Sequence, residues 1–428
     1  MRDTPAENGH KRAGPTRRGH LHPSDCHGLG RLAATALEQG LELAEDFHSA
    51  LAGPLLRIRP VGAFTAFLYR QAKGSTRALH RCLTALLPVP VAVHAGEHAG
   101  RNSTAEREAV LAAINGLVGD HLAESGNPIQ IGMRLRRDGV PLPHTRQALS
   151  AALPDAGGKV LVLVHGLCRS DLQWRRNRHD HGAALAHDLG YTPVYLHYNS
   201  GLHISVNGRQ FAAQLEALVG NWPVEVEEIS ILGHSMGGLV ARSACHYAEM
   251  AGHAWLARLR NIVFLGTPHH GAPLERGGSW LTAVLGRSRY TAPFARLGRI
   301  RSAGITDLRY GNLLDEDWHG QDRFDHAGDR RRPLPLPRGV HCYAIAGSAG
   351  QRYGDLRERL LGDGLIPLDT ALGRHVHERR SLRFPRSRQW VAYGVHHLDL
   401  LGSREVYERI RSWLSPAGMR SSRSARRP

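Results

Sequence analysis

Glu227-Glu-Ile-Ser-Ile-Leu-Gly-His-Ser-Met-Gly-Gly-Leu-Val-Ala241 is the stretch that decides the fold. Its first half, through Ile229, Ile231 and Leu232, is a short apolar run of strand character, and from Gly237 to about Ala248 the chain reads as a helix. Between the two, Gly233-His-Ser-Met-Gly237 fits G-x-S-x-G, in which a sharp strand-to-helix turn lifts a serine hydroxyl above a sheet. Crowding at such a turn excludes side chains two residues either side of the serine, and Gly233 and Gly237 meet that demand. The new helix aims its N-terminal N–H groups at the serine, which favours negative charge there. The bare pattern also occurs as a plain glycine-rich turn. Strand, turn and helix in succession single out Ser235 as a nucleophile.

The same alternation runs outward from this point. Ile131 to Arg136 reads as an edge strand, and Lys159 to His165 as a strand buried on both faces. Thr192 to Asn199 follows, with a helix through Gly208 and Phe211 to Leu218. Asn261 to Gly266, Val340 to Gly347 and Arg388 to Val395 are further strands, and a last helix spans about Ser403 to Leu414. Strands alternating with helices imply a mostly parallel central sheet covered by helices on both faces. Residues of about 273–337, ending in Arg330-Arg331-Arg332-Pro333, interrupt the alternation and mark where a lid would sit. Within it, Trp280, Leu281, Val284 and Leu285 have helical spacing and would either line an acyl pocket or pack the lid down.

Ahead of the sheet, residues 1–25 read as a disordered basic arm and 26–129 as a helical region. Leu37, Leu41, Ala44, Phe47 and Leu51 fall on one helical face. Phe64 to Leu68 and Leu79 to Leu87 suggest two more segments, stopped by Pro88 and Pro90. Ser103-Thr-Ala-Glu106 has the pattern of a capping box and opens a helix carrying Val110, Ile114, Leu117 and Leu122. The sheet domain is expected over 130–414, with a basic disordered tail over 415–428.

The net charge of +17 and 42% hydrophobic content fit a folded body with basic tails. Such a balance favours anionic partners, and an anionic membrane surface accounts for it better than nucleic acid, since no zinc finger, RRM signature or basic helix with interleaved aromatics is present. The five cysteines are scattered, with no CxxC pair, against a disulfide framework or a structural zinc site. With no apolar leader and no apolar run near membrane-spanning length, a cytoplasmic location is the expectation, with peripheral membrane contact open.

A serine nucleophile needs donors for an oxyanion, a base and an acid. The residue after it, Met236, should give one N–H; the loop after an earlier strand gives the other. His165-Gly-Leu-Cys168 occupies that loop, and Leu167 N–H is the expected second donor. With chain order Ser…Asp/Glu…His, the base should follow the last strand, where His397 is the first choice and His396 its rival. The acid should lie after the preceding strand: Asp363, flanked by Gly362 and Gly364, is the first choice and Asp369 the second, with Asp355 and Asp399 read as solvated loop residues. His269 and His270 are adjacent on a loop with no Cys or Asp to complete a ligand set, so no metal is expected there.

Gly233-His-Ser-Met-Gly-Gly238, His165-Gly166, Gly266-Thr-Pro-His-His-Gly271 and Asp363-Gly-Leu-Ile-Pro367 together resemble the lipase/esterase branch of the α/β-hydrolase superfamily. The nearest likeness is to bacterial lipase-like proteins that share features with GPI inositol-deacylase-type hydrolases, and Tyr198 to Arg209 adds to it. The resemblance covers about residues 130–414. It implies an α/β-hydrolase fold, a catalytic triad of Ser235, Asp363 and His397, and an oxyanion hole of Leu167 and Met236. It implies hydrolysis of a carboxylic ester or lipid through an acyl-enzyme, with no metal or organic cofactor. The same triad would also serve an acyltransferase or a thioesterase, and the scaffold alone a non-catalytic binding protein.

Overall fold

The apolar runs on either side of Ser235 become the centre of one eight-stranded sheet, ordered β2-β1-β4-β3-β5-β6-β7-β8. In this computed structural model the described residues are 22, 24–37, 70–72, 74, 103–272, 301–321, 328–350 and 362–416. The strands are β1 (Arg134–Arg137), β2 (Val140–Pro141), β3 (Lys159–Val164), β4 (Thr192–His197), β5 (Glu228–His234), β6 (Leu259–Leu265), β7 (His341–Ser348) and β8 (Gln389–Tyr393). Strands β3 to β8 run parallel; β1 pairs antiparallel to both β4 and β2. The sequence places the edge at 131–136, whereas β1 lies one strand in, because Gly139 at φ 77° turns the chain back into β2.

Helices cover both faces: α1 (24–37), α2 (Ala105–Glu124), α3 (Arg146–Ala152), α4 (His181–Leu189), α5 (Ile204–Gly220), α6 (Met236–Ala251), α7 (Ala303–Asp307), α8 (Leu368–Ala371) and α9 (Arg404–Leu414). Alternation along β3 sorts the core. Val160, Val162 and Val164 join one cluster with Phe211, Leu215, Leu239 and Val240 of α5 and α6. Leu161 and Leu163 join the other with Leu185 of α4 and Val406, Ile410 and Trp413 of α9. Both sides of the strand are buried, which is why its sequence is continuously apolar.

Helix α1 opens within the last residues of the expected N-terminal arm. Asp25 there is salt-bridged to Arg107 at 2.6 Å, and Asn127 Nδ2 donates to Gly28 O at 3.1 Å, so α1 is tied to both ends of α2. The cap of α2 is Thr104 rather than Ser103: its Oγ1 accepts from Arg107 N at 3.2 Å. The expected helices around 41–51, 64–68 and 79–87, residues 1–21 and 417–428, and 273–300 of the expected lid lie outside the described residues. The part of that stretch at 301–321 is built into the core: Leu308, Leu313 and Leu314 are buried, and Ser302 Oγ donates to Gly116 O of α2 at 2.7 Å. Among the described residues no helix is long and apolar enough to cross a membrane.

Candidate active site

The chain leaves β3 to form β4 on one side, then returns to form β5 on the other. Loops leaving the C-terminal ends of two such strands diverge and open a crevice between them. The loop after β3 is His165-Gly-Leu-Cys168, and the turn after β5 is Ser235. They meet closely: a Cβ on Gly166 would lie 2.9 Å from that of Ser235.

Ser235 has φ 54° and ψ −126°, a conformation that costs a side-chain-bearing residue about 1–3 kcal/mol. Its N–H is fixed to Leu265 O of β6 at 2.8 Å. The flanking glycines are forced by contact. A Cβ at Gly233 would fall 2.7 Å from Gly238 Cα, and one at Gly237 would fall 2.3 Å from Val164 O. The N–H groups of Leu167 and Met236, on either side of the crevice, have no backbone or side-chain acceptor among the described residues. Cys168 sits at φ 58°, its N–H held by Ser200 Oγ at 3.0 Å, and Tyr198 Oη donates to His165 O at 2.8 Å. The loop is therefore clamped from β4.

His397 and Asp363 come together 34 residues apart. Nδ1 of His397 lies 2.6 Å from Asp363 Oδ2, and both residues are buried. An imidazole facing a carboxylate through Nδ1 donates its proton there, which leaves Nε2 with a free lone pair. The other oxygen, Oδ1, accepts from Leu365 N at 3.0 Å and Ile366 N at 2.8 Å. The ring rests on the strand beside Ser235: a Cβ on Gly266, next after Leu265, would lie 2.9 Å from His397 Nδ1. The His397 carbonyl accepts from His234 Nε2 at 3.1 Å. The rivals are elsewhere. His396 is exposed, Asp369 is exposed beside Arg374 at 3.4 Å, and Asp399 pairs with Arg176 at 2.8 Å; Asp355 lies outside the described residues.

Residues 155–326 match the family model of the PGAP1-like alpha/beta domain. The fold is α/β-hydrolase-like, with the stretch similar to a PGAP1-like alpha/beta domain at its centre. The match takes in Leu167, Ser235 and Met236, while Asp363 and His397 lie beyond it. No curated protein matches the chain. Among solved structures it is similar to the mature form of the Bacillus licheniformis lipase BlEst2, at 18% identity over 67% of this chain and 98% of that one, with a TM-score of 0.41. A lipase-esterase related protein from Clostridium acetobutylicum aligns at 12% identity over 61% and 96%, TM-score 0.34. A Pyrococcus furiosus esterase aligns at 15% over 61% and 82%, TM-score 0.33.

Outside the matched domain, α2 packs behind the β3 loop. A Cβ on Gly116 would lie 2.3 Å from Cys168 Sγ and 2.9 Å from its backbone N. Nearby, Glu108 of α2, Asp171 and His197 are buried within reach of one another and offer three ligand atoms of the kind that bind a metal. Arg136 occupies the position a cation would take, with Nη1 2.9 Å from Glu108 Oε2 and 3.3 Å from Asp171 Oδ1. The cluster is thus already charge-compensated. Burial raises the Asp171 carboxyl, but His197 and Arg136 outweigh it and hold the pKa down at about 2. His165 is pushed to about 3 by burial, so it stands neutral beside the loop. Neither Glu108 nor Arg136 is marked by any local motif, and the cluster escapes a sequence reading for that reason.

Proposed function

We propose that the protein hydrolyses carboxylic esters through Ser235, with an ester or lipid as substrate. The observation that carries this reading is the buried His397–Asp363 pair at 2.6 Å, resting on the strand that holds the Ser235 turn. His397 Nε2 takes the Ser235 proton as Oγ attacks the carbonyl carbon, and Asp363 stabilises the resulting imidazolium through Nδ1–H. The oxyanion forms between the N–H groups of Met236 and Leu167, each a preorganised donor worth on the order of 10²–10³ in rate. Collapse expels the alcohol, which takes its proton from His397. Water, activated by the same base, then releases the acid from the acyl-enzyme.

The test is turnover of p-nitrophenyl esters of short, medium and long acyl chains by the wild-type protein and Ser235→Ala. Turnover in the wild type and its loss in a variant that keeps its thermal melt is the expected result. Equal turnover in both would reject Ser235 as the nucleophile. Between the neighbouring histidines, only His397→Ala should abolish activity; a larger loss in His396→Ala would reverse the assignment.

A further inference from the structure

Two turns along α6 from Ser235 an arginine-rich site opens. Arg242 follows Ser235 by seven residues, about 10 Å of helical rise. It is 3% exposed and pairs with no carboxylate among the described residues. Nη2 donates to Leu334 O, Nη1 lies 3.4 Å from His269 Nδ1, and Nε has no partner. His269 is fully buried, and its Nε2 also lacks a partner. A buried guanidinium without a counter-charge is costly unless something else supplies one.

The surroundings add positive charge. Arg242, Arg331, Arg332 and Arg380 line one shallow, solvent-open cleft together with His269 and Asp317. Arg331 and Arg380 share a single carboxylate, Asp329. Both oxygens of Asp317 are taken by backbone, from Leu313 and Leu314 N at 2.8 and 3.0 Å and from Arg332 N at 3.0 Å. Arg332 has only a loose contact with Glu316 at 3.7 Å. Burial and the neighbouring Arg331 lower the Arg242 pKa to about 10, and burial with Arg242 keeps His269 well below its ordinary value. The field at the cleft is one that an anion would relieve.

We propose that this cleft is a binding site for a phosphate group, free or carried by an ester, seated against Arg242, Arg331 and Arg380. Guanidinium forks match the acceptor geometry of phosphate oxygens, and a tetrahedral dianion supplies the charge the cluster lacks. A structural tether of the Leu334 segment would use the Arg242 Nη2 bond alone; it leaves the excess charge of the cleft without a purpose. The site goes beyond ester cleavage at Ser235, because nothing in that chemistry calls for an anion 10 Å along the helix.

Calorimetric titration of the full chain with inorganic phosphate tests this without turnover, so a missing esterase activity leaves the result intact. Binding is expected, at least about tenfold weaker in Arg242→Gln and in Arg380→Gln, the second being the less buried position should the first fail to fold. A second arm compares kcat/KM for a phosphate-bearing ester with that for its neutral analogue. A drop in that ratio on Arg380→Gln assigns the site to the substrate's own phosphate, and an unchanged ratio assigns it to free phosphate. Absence of phosphate binding to the wild type, or binding unchanged in both variants, would overturn the proposal.

Discussion

Asp363 is held from two directions. Its Oδ2 faces His397 Nδ1 while Oδ1 takes two backbone N–H groups, so the carboxylate cannot rotate to satisfy one without losing the other. This makes Asp363→Asn a clean probe. The amide oxygen keeps the N–H groups of Leu365 and Ile366, and the NH₂ is turned to His397, which must then accept through Nδ1 and carry its proton on Nε2. That tautomer cannot act as base. We predict a loss of about 10³–10⁴-fold in kcat with the melting temperature little changed, measured by steady-state kinetics and thermal denaturation. A loss of less than tenfold would mean that Asp363 does not orient the base. The choice between Asp363 and Asp369, and between His397 and His396, was open in the sequence because loop composition is similar at each. Burial and pairing across 34 residues separate them.

Helix α2 lies outside the segment that matches the PGAP1-like domain, yet it backs the loop that carries Leu167. Gly116 permits the approach. A methyl group there would press on Cys168 Sγ and backbone, and the loop is the softer party because Cys168 already sits at positive φ. Ordinarily Gly→Ala inside a helix stabilises by about 1 kcal/mol. Here the overpacking, about 1–3 kcal/mol, outweighs that gain. Gly116→Ala is therefore expected to lower both stability and kcat, with kcat falling on the order of 10²-fold and KM changing far less, as for loss of one oxyanion donor. Unchanged kcat in a destabilised protein would show that α2 supports the fold and not the loop. The capping signal of α2 was legible within one residue, Thr104 taking the role read for Ser103. Its partner was not, since Gly116 and Cys168 meet only through tertiary packing.

At the scale of the whole molecule, acid should be the main stress. His165, His181, His234 and His269 are all buried and have pKa values lowered by burial, to about 3 for His165 and about 4 for His181. In the unfolded chain each returns to about 6.5 and binds a proton that the folded state refuses. Stability from these groups is complete above about pH 6.5 and is lost as pH falls towards their folded values, by about 1.4 kcal/mol per pH unit for each. Denaturant melts from pH 8 to pH 4 should hold level to about 6.5 and then fall steeply; a flat profile down to pH 4.5 would contradict buried neutral histidines. The net charge of +17 makes a separate prediction. Binding to vesicles rich in anionic lipid should exceed binding to neutral vesicles by at least about tenfold at low salt and weaken as salt is added. Equal binding to both would remove the membrane from the account of the charge.

The sequence by itself determined the succession of the parallel strands, the helices at α2, α5, α6 and α9, the sharp turn at Ser235 and its flanking glycines, but not β2, α3 or α4. Those features are local: strand and helix periods, and the steric demand of one turn, are written in consecutive residues. Tertiary structure alone decided that β1 is not the edge, that His397 faces Asp363, that α2 seats the Leu167 loop, and that Arg242 is buried. An arginine on a helix reads as solvated surface until neighbours from 269, 334 and 380 close over it. Which side chains meet across long stretches of chain is set by the twist and stacking of the sheet, and no short window of sequence carries that information.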